Sequence, residues 1–149
     1  MDPFGKIKTM KTLLIDDDEL IRDSLRMVFM NKGCFLMAVE SAEDGLCAMK
    51  NNHFDIIISD FILPGMNGID FFKQAVINET DTANVLIAGN ISPEKLSEKN
   101  EAKVHDFIQK PFTVIALAHT LAILTENKRP NQQNPIENFF KKQVRRKAQ

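Results

Sequence analysis

Short apolar runs alternate along this chain with longer stretches in which apolar residues recur every three or four positions. Leu13-Leu14-Ile15 is a buried-strand candidate that ends abruptly in Asp16-Asp17-Asp18. Glu19 to Asn31 then places Ile21, Leu25, Val28 and Phe29 at i, i+4, i+7 and i+8, the period of one helix face. Asp18 is positioned to cap that helix, and Gly33 to end it. Cys34 to Val39 reads as a second strand. Ser41 opens the next helix with Asp44 three residues on, a variant of the capping box, and Leu46, Ala48 and Met49 populate it. Phe54 to Ser59 is a third strand, almost wholly apolar, and Asp60 follows it. Pro64-Gly65-Met66-Asn67-Gly68 is turn chemistry, and Ile69 to Val76 a short helix. Asn84 to Ala88 is a fourth strand. Ser92-Pro93-Glu94 starts a helix with serine as cap and proline at the first position, although Leu96 is its one large apolar residue. Val104 to Gln109 is a fifth strand, broken by Lys110-Pro111. Thr113 to Thr125 is the last helix, with Ile115, Ala118, Leu121 and Ala122 at helical spacing.

Five strands thus alternate with five helices. Continuous apolar strands suit a parallel sheet covered on both faces, which predicts a doubly wound α/β domain. Residues 10–126 carry this pattern. Residues 1–9 are polar and aperiodic and are expected to lie outside the fold. From Glu126 onward the chain turns polar, so 127–149 reads as a tail or linker.

Composition adds limits. The 149 residues point to one domain, and 44% hydrophobic with 26% charged residues is ordinary for a globular chain. No apolar run approaches the roughly 20 residues of a membrane span, and no secretory signal is visible. Two cysteines make no disulfide framework. Cys34 and Cys47 are expected to be small buried hydrophobes in a reducing cytoplasm. His53, His105 and His119 lie far apart, without metal-ligand spacing. The net charge of −1 hides an asymmetry: residues 1–127 hold 12 Lys/Arg against 19 Asp/Glu, net −7, whereas 128–149 hold 7 against 1, net +6.

In a parallel α/β sheet, sites form beyond the carboxyl ends of the strands. Asp16 and Asp17 follow the first strand, Asp60 the third, Ala88, Gly89 and Asn90 the fourth, and Lys110 the fifth. Each alone has a bland reading: a helix cap, a loop acid, a solvated turn. Together they put three carboxylates and one lysine on one rim. With strand order 2-1-3-4-5, strands one and three are neighbours about 4.8 Å apart, and their carboxylates crowd. Crowded carboxylates raise each other's pKa unless a cation neutralises them. Mg2+ suits a site with few carboxylates, waters and a phosphate. An aspartate at a strand end can also attack phosphorus, with Lys110 neutralising the transferring oxygens from roughly 10 Å away, two strands over.

LLIDDDELIRDSL resembles the first strand and helix of response-regulator receiver domains, DIIISDFILPGMNGIDF their phosphoacceptor segment, and FIQKPF their fifth-strand ending. The resemblance covers about residues 10 to 126 and implies the flavodoxin-like fold, a five-stranded parallel sheet of order 2-1-3-4-5 with five helices. It implies a two-component signalling role rather than an enzyme with a separate substrate. Asp60 would be the phosphoacceptor, Asp17 a direct Mg2+ ligand and Asp16 the acid holding the metal through water. The Ile62 carbonyl would be a further ligand, Lys110 would pair with the phosphate, and the Lys110–Pro111 peptide would be cis. Implied partners are a histidine kinase or phosphotransfer protein and a downstream output protein or domain. Homodimerisation on phosphorylation, through the fourth helix, fifth strand and fifth helix, is also implied. The polar stretch from Glu94 to Lys103 favours a monomer without phosphate. One departure stands out. The family places Thr or Ser after the fourth strand, coupled to an aromatic on the fifth. Here Ala88, or Gly89, stands at that position without a hydroxyl, and Phe107 is the aromatic.

That departure supports a second reading, an atypical receiver with weakened switching that serves as a phosphate sink or docking module. A haloacid-dehalogenase-type phosphatase fits less well, because Glu19-Leu20 stand after Asp16 and Asp18 where that motif wants Gly-Thr. In the tail, Ile136, Phe139, Phe140 and Val144 fall on one face of a short amphipathic helix decorated by Lys141, Lys142, Arg145, Arg146 and Lys147. The expected role of that tail is a linker or solvated segment, and nucleic-acid binding is not expected of the domain itself.

Overall fold

The computed structural model describes residues 2–75 and 81–128. Its elements are α1 (Pro3–Ile7), β1 (Lys11–Ile15), α2 (Glu19–Asn31), β2 (Phe35–Val39), α3 (Ala42–Asn51), β3 (Ile56–Asp60), α4 (Gly68–Ala75), β4 (Ala83–Ala88), α5 (Pro93–Leu96), a 3-10 turn (Ser97–Lys99), β5 (Asp106–Gln109) and α6 (Val114–Lys128). The five strands form one sheet in the order β2-β1-β3-β4-β5, parallel at every pairing. This is the expected doubly wound architecture.

The central strands are buried on both faces because the helices sandwich them. β3 and β4 are buried at every position, which explains why their sequences are continuous rather than alternating. Alternate residues divide between two cores. Leu14, Ile56, Ile58, Val85 and Ile87 meet α1, α2 and α6 on one face; Leu13, Ile15, Ile57 and Leu86 meet α3 and α4 on the other.

The expected caps are present. Asp18 accepts from the N–H groups of Leu20 and Ile21, Ser41 from Asp44, and Ser92 from Lys95. Gly33, just past α2, takes a φ of 73°, the left-handed conformation of a helix stop.

Two expectations are corrected. Residues 3–7 are not outside the fold: they form α1, so the described helices number six rather than five. Asp2 caps α1 and Pro3 occupies its first turn. Phe4 and Ile7 are each 1% exposed, and Phe4 meets Phe29 edge to face at 5.8 Å. The physical reason is space: α2 and α6 leave an apolar gap that these two side chains fill. A salt bridge from Lys6 to Glu126 at 2.7 Å fastens α1 to α6. Second, Cys47 is exposed on α3 while Cys34 is buried beneath α1, with its thiol 3.6 Å from the Phe4 carbonyl. The expected helix after β4 is present, with Ser92 as its cap, as one α-turn continued by a 3-10 turn that buries none of its residues. The apolar-faced tail positions Ile136, Phe139, Phe140 and Val144 lie outside the described residues.

Candidate functional site

The parallel sheet brings its carboxyl ends to one rim, and each strand delivers one part of the site there. β1 ends at Ile15, so Asp16 and Asp17 turn over the top of the sheet. Three hydrogen bonds hold Asp16. Its N–H donates to the Val39 carbonyl at 3.0 Å, its carbonyl accepts from Arg22 Nη1 at 2.9 Å, and its Oδ1 accepts from the Asp18 N–H at 2.9 Å. Its Oδ2 is buried without a hydrogen-bond partner. Burial, and after it the charges of Asp60 and Asp17, push the Asp16 carboxyl up to about 6; the Asp18 N–H and Lys110 act in the opposite sense.

β3 ends at Asp60, which pairs with Ile87 of β4. Asp60 is buried, its carbonyl accepting from Ser59 Oγ at 2.9 Å. Carboxylate oxygens of Asp16, Asp17 and Asp60 lie within 4.8 Å of one another, with Asp17 exposed at the mouth. Lys110 follows β5, and its N–H donates to the Ala88 carbonyl at 2.9 Å. Its side chain reaches across β4, so that Nζ stands 2.7 Å from Asp60 Oδ2. Burial opposes the Lys110 charge, but the hydrogen bond to Asp60 and the surrounding carboxylates outweigh it and raise its pKa. The Lys110–Pro111 peptide is cis.

The remaining expected positions are placed as follows. Ile62 lies in the loop after β3, mostly exposed, with its N–H 3.4 Å from Asp60 Oδ1. Ala88 is buried at the end of β4, and Gly89 follows it with open space where a side chain would stand. Phe107 lies on β5 opposite Leu86, half-buried against the α3–α4 core. Ala88 and Phe107 carry no hydroxyl.

Two contributors were missed from the sequence alone. Arg22 ties the Asp16 carbonyl, and with it the acidic turn, to α2. Gly68 opens α4 directly beneath the site: a Cβ there would stand 2.3 Å from the Asp60 carbonyl oxygen and 2.8 Å from Leu86 Cδ1. The Pro-Gly-Met-Asn-Gly run gave a turn signal, but not the reason why its last residue has to be glycine.

A sequence model of the family described as the response regulator receiver domain matches residues 12–122. The chain belongs to the response regulator receiver family. The receiver is 31% identical to chemotaxis protein CheY-3 of Vibrio cholerae over 119 residues, which cover 76% of this chain and 90% of CheY-3. It is 30% identical over 129 residues to the sensory/regulatory protein RpfC of Xanthomonas campestris pv. campestris, covering 84% of this chain but 18% of that much longer protein. The fold matches a CheY-like receiver domain from Methanospirillum hungatei with a TM-score of 0.78 at 22% identity, over 83% of this chain and 98% of that one. It also matches CheY4 of Vibrio cholerae with a TM-score of 0.69 at 28% identity, over 77% and 98%. The family match starts at residue 12, so α1 lies before the matched segment. Among the described residues of this receiver, no helix is long and apolar enough to cross a membrane.

Proposed function

We propose that Asp60 of this receiver accepts a phosphoryl group from a histidine kinase or phosphotransfer protein. The observation that carries this reading is the pairing of Asp60 with Lys110 at 2.7 Å, inside a cluster whose other two carboxylates lie within 4.8 Å. An Asp60 oxygen attacks phosphorus; the bond from phosphorus to the donor's imidazole nitrogen breaks, and its electron pair stays on that nitrogen. Lys110, already aimed at Asp60, then has an incoming phosphoryl oxygen to neutralise.

The donor set fits Mg2+. Hard oxygen ligands are what that ion takes, and Asp16 Oδ2 is a buried acceptor without a partner. Asp17, Asp60 and the Ile62 carbonyl would complete the protein's share. When bound, the ion supplies positive charge against the phosphoryl oxygens. Asp16 and Asp17 would hold it in place, and Arg22 fixes the turn that carries them.

The test is intact mass after incubation with Mg2+ and acetyl phosphate. One phosphate adduct is expected, absent in Asp60→Asn and absent in chelator. An unchanged mass in the wild type, with beryllofluoride also failing to bind, overturns the reading.

A second reading concerns the output. With Ala88 and Gly89 at the end of β4 and Phe107 on β5, no hydroxyl at these positions links a phosphate to α5. Phosphoacceptance is retained, but the conformational response is weakened. Restoring the hydroxyl with Ala88→Thr, or with Gly89→Thr where space is open, should enlarge the beryllofluoride-induced NMR shifts of β4 and β5. Unchanged shifts in both variants refute the weakened-switch reading and leave phosphoacceptance standing.

A further inference from the structure

Two cationic side chains reach the acidic rim, and they bond different groups there. Lys110 bonds a carboxylate of the cluster, that of Asp60. Arg22 bonds backbone. Its Nη1 donates to the Asp16 carbonyl at 2.9 Å, and its own N–H donates to the Asp18 carbonyl at 3.1 Å. One residue of α2 therefore grips the acidic turn on both sides of Asp17. The turn is closed further by the Asp18 N–H on Asp16 Oδ1 and by the Asp16 N–H on the Val39 carbonyl of β2. With these bonds made, Asp16 Oδ2 is the buried oxygen left over. Arg22 Nη2 lies 4.0 Å from Oε2 of Glu40, the residue after β2, and this is its one ion pair among the described residues. The Arg22 side chain is 13% exposed and that of Glu40 68%, so the carboxylate holds the guanidinium weakly. The charge-assisted bond to the Asp16 carbonyl is the stronger tie.

We propose that Arg22 is a positioning residue for the divalent cation: by gripping the turn from Asp16 to Asp18 it aims the two acids at the cluster and sets the affinity for Mg2+. The inference rests on the Mg2+ reading of the cluster given above. Two effects oppose each other here. A fixed positive charge close to three carboxylates repels an incoming cation, so by charge alone Arg22 would weaken metal binding. Geometry acts in the other sense. Mg2+ demands near-ideal octahedral ligation at about 2.0–2.1 Å. Groups that orient a metal's ligands govern roughly 10- to 100-fold of its affinity. The Arg22 charge is engaged by a backbone carbonyl on one side and faces Glu40 on the other, which offsets part of the repulsion, so geometry decides. Arginine suits the place. Its planar fork serves the carbonyl with one nitrogen and faces Glu40 with the other, whereas a lysine has a single nitrogen to offer.

The experiment titrates Mg2+ alone into the full chain, without phosphate, and follows the NMR amide signals of residues 16–18 and 60–62. The wild type is compared with Arg22→Met, which keeps an apolar stem but loses charge and donors, and with Arg22→Lys, which keeps the charge and one donor nitrogen. Urea unfolding in chelator reports the stability of each. The Kd for Mg2+ should rise roughly tenfold in Arg22→Met and about two- to threefold in Arg22→Lys. Tighter Mg2+ binding by Arg22→Met would show that Arg22 acts through its charge, and overturns the proposal. An unchanged Kd, whatever stability is lost in chelator, assigns Arg22 to the scaffold alone and overturns it too. Should Arg22→Met not fold, Arg22→Lys decides: binding weaker than the wild type upholds the proposal, and an equal Kd overturns it. A wild type without any saturable shift would strike the Mg2+ reading itself, and this inference with it.

Discussion

Asp16 offers a test of the site that needs no phosphate. Its carboxyl is buried, and one oxygen lacks a hydrogen bond. Burial raises its pKa from 3.8 to about 6. A raised carboxyl pKa means the fold resists the ionised form. The unfolded chain releases this proton at lower pH, so stability falls as pH climbs from about 4 through 6. Each pKa unit is about 1.4 kcal/mol, so keeping Asp16 ionised at pH 7.5 costs the metal-free fold about 3 kcal/mol. Asp16→Asn keeps the oxygen that accepts from Asp18 and replaces the orphaned oxygen with a donor facing Asp17 and Asp60. In chelator at pH 7.5 the variant should be more stable than the wild type by roughly 1–3 kcal/mol, and the difference should shrink below about 1 kcal/mol near pH 4. Urea unfolding followed by far-ultraviolet circular dichroism measures it, because the chain has no Trp or Tyr for fluorescence. Mg2+ should erase the gap: a ligand at 100 times its Kd stabilises by about 2.7 kcal/mol, and the variant has lost one acid that holds the ion. A variant less stable than the wild type in chelator at pH 7.5, or a difference that ignores pH, refutes the reasoning.

Two other changes probe the scaffold. Gly68→Ala puts a methyl 2.3 Å from the Asp60 carbonyl oxygen, against backbone that cannot yield cheaply. It should cost about 1–3 kcal/mol in urea unfolding and reduce acetyl-phosphate labelling of Asp60. Phe4→Ala removes a ring that is 1% exposed and should cost about 3 kcal/mol. It should also expose Cys34 to a thiol reagent that in the wild type labels Cys47 alone; unchanged stability and labelling would mean that α1 contributes nothing to the fold.

The sheet and the rim were legible in the sequence for one reason. In a parallel sheet a buried strand is an unbroken apolar run, and its chemistry stands immediately after it. LLI then Asp16 and IIIS then Asp60 declare themselves this way, whereas β5, an edge strand exposed at both ends, was marked instead by the break at Lys110-Pro111. What escaped is what depends on distant residues. α1 has two large apolar side chains three apart, too few to show a period, and five residues cannot hold a helix without the gap between α2 and α6. Cys47 is an apolar residue type on a half-buried helix, and only the rotation of α3 decides that it faces out. The Gly68 requirement comes from an Asp60 carbonyl eight residues earlier, and the orphaned oxygen of Asp16 from strands packed around it. Local pattern predicts elements and strand-end chemistry; it does not predict which neighbour fills which space.

The missing hydroxyls bear on how a signal leaves the site. The proposed acceptance would use the acids at the ends of β1 and β3 and the lysine after β5, which share one rim. In the weakened-switch reading, transmission through β4 would use a hydroxyl at its end, and Ala88 has none. α5, the next element, buries no residue. The 3-10 turn that continues it is joined to α4 where Lys73 bonds Glu98, and Lys95 of α5 reaches the same carboxylate locally at 3.2 Å; all three side chains are partly solvated. The hydrogen bond from Lys73, then that from Lys95, lowers the Glu98 pKa, but pairs so open to water hold an element loosely. Lys110 is connected differently. Its side chain bonds Asp60, its N–H bonds Ala88, and Pro111 and Phe112 join it directly to α6. A phosphate that draws Lys110 off Asp60 therefore acts on the β5–α6 turn more directly than on α5. The end of α6 that feels it belongs to a helix with no formally charged side chain from Val114 to Thr125. Under the proposed phosphoacceptance, Lys110 would therefore be the link from Asp60 to α6, without the β4 hydroxyl.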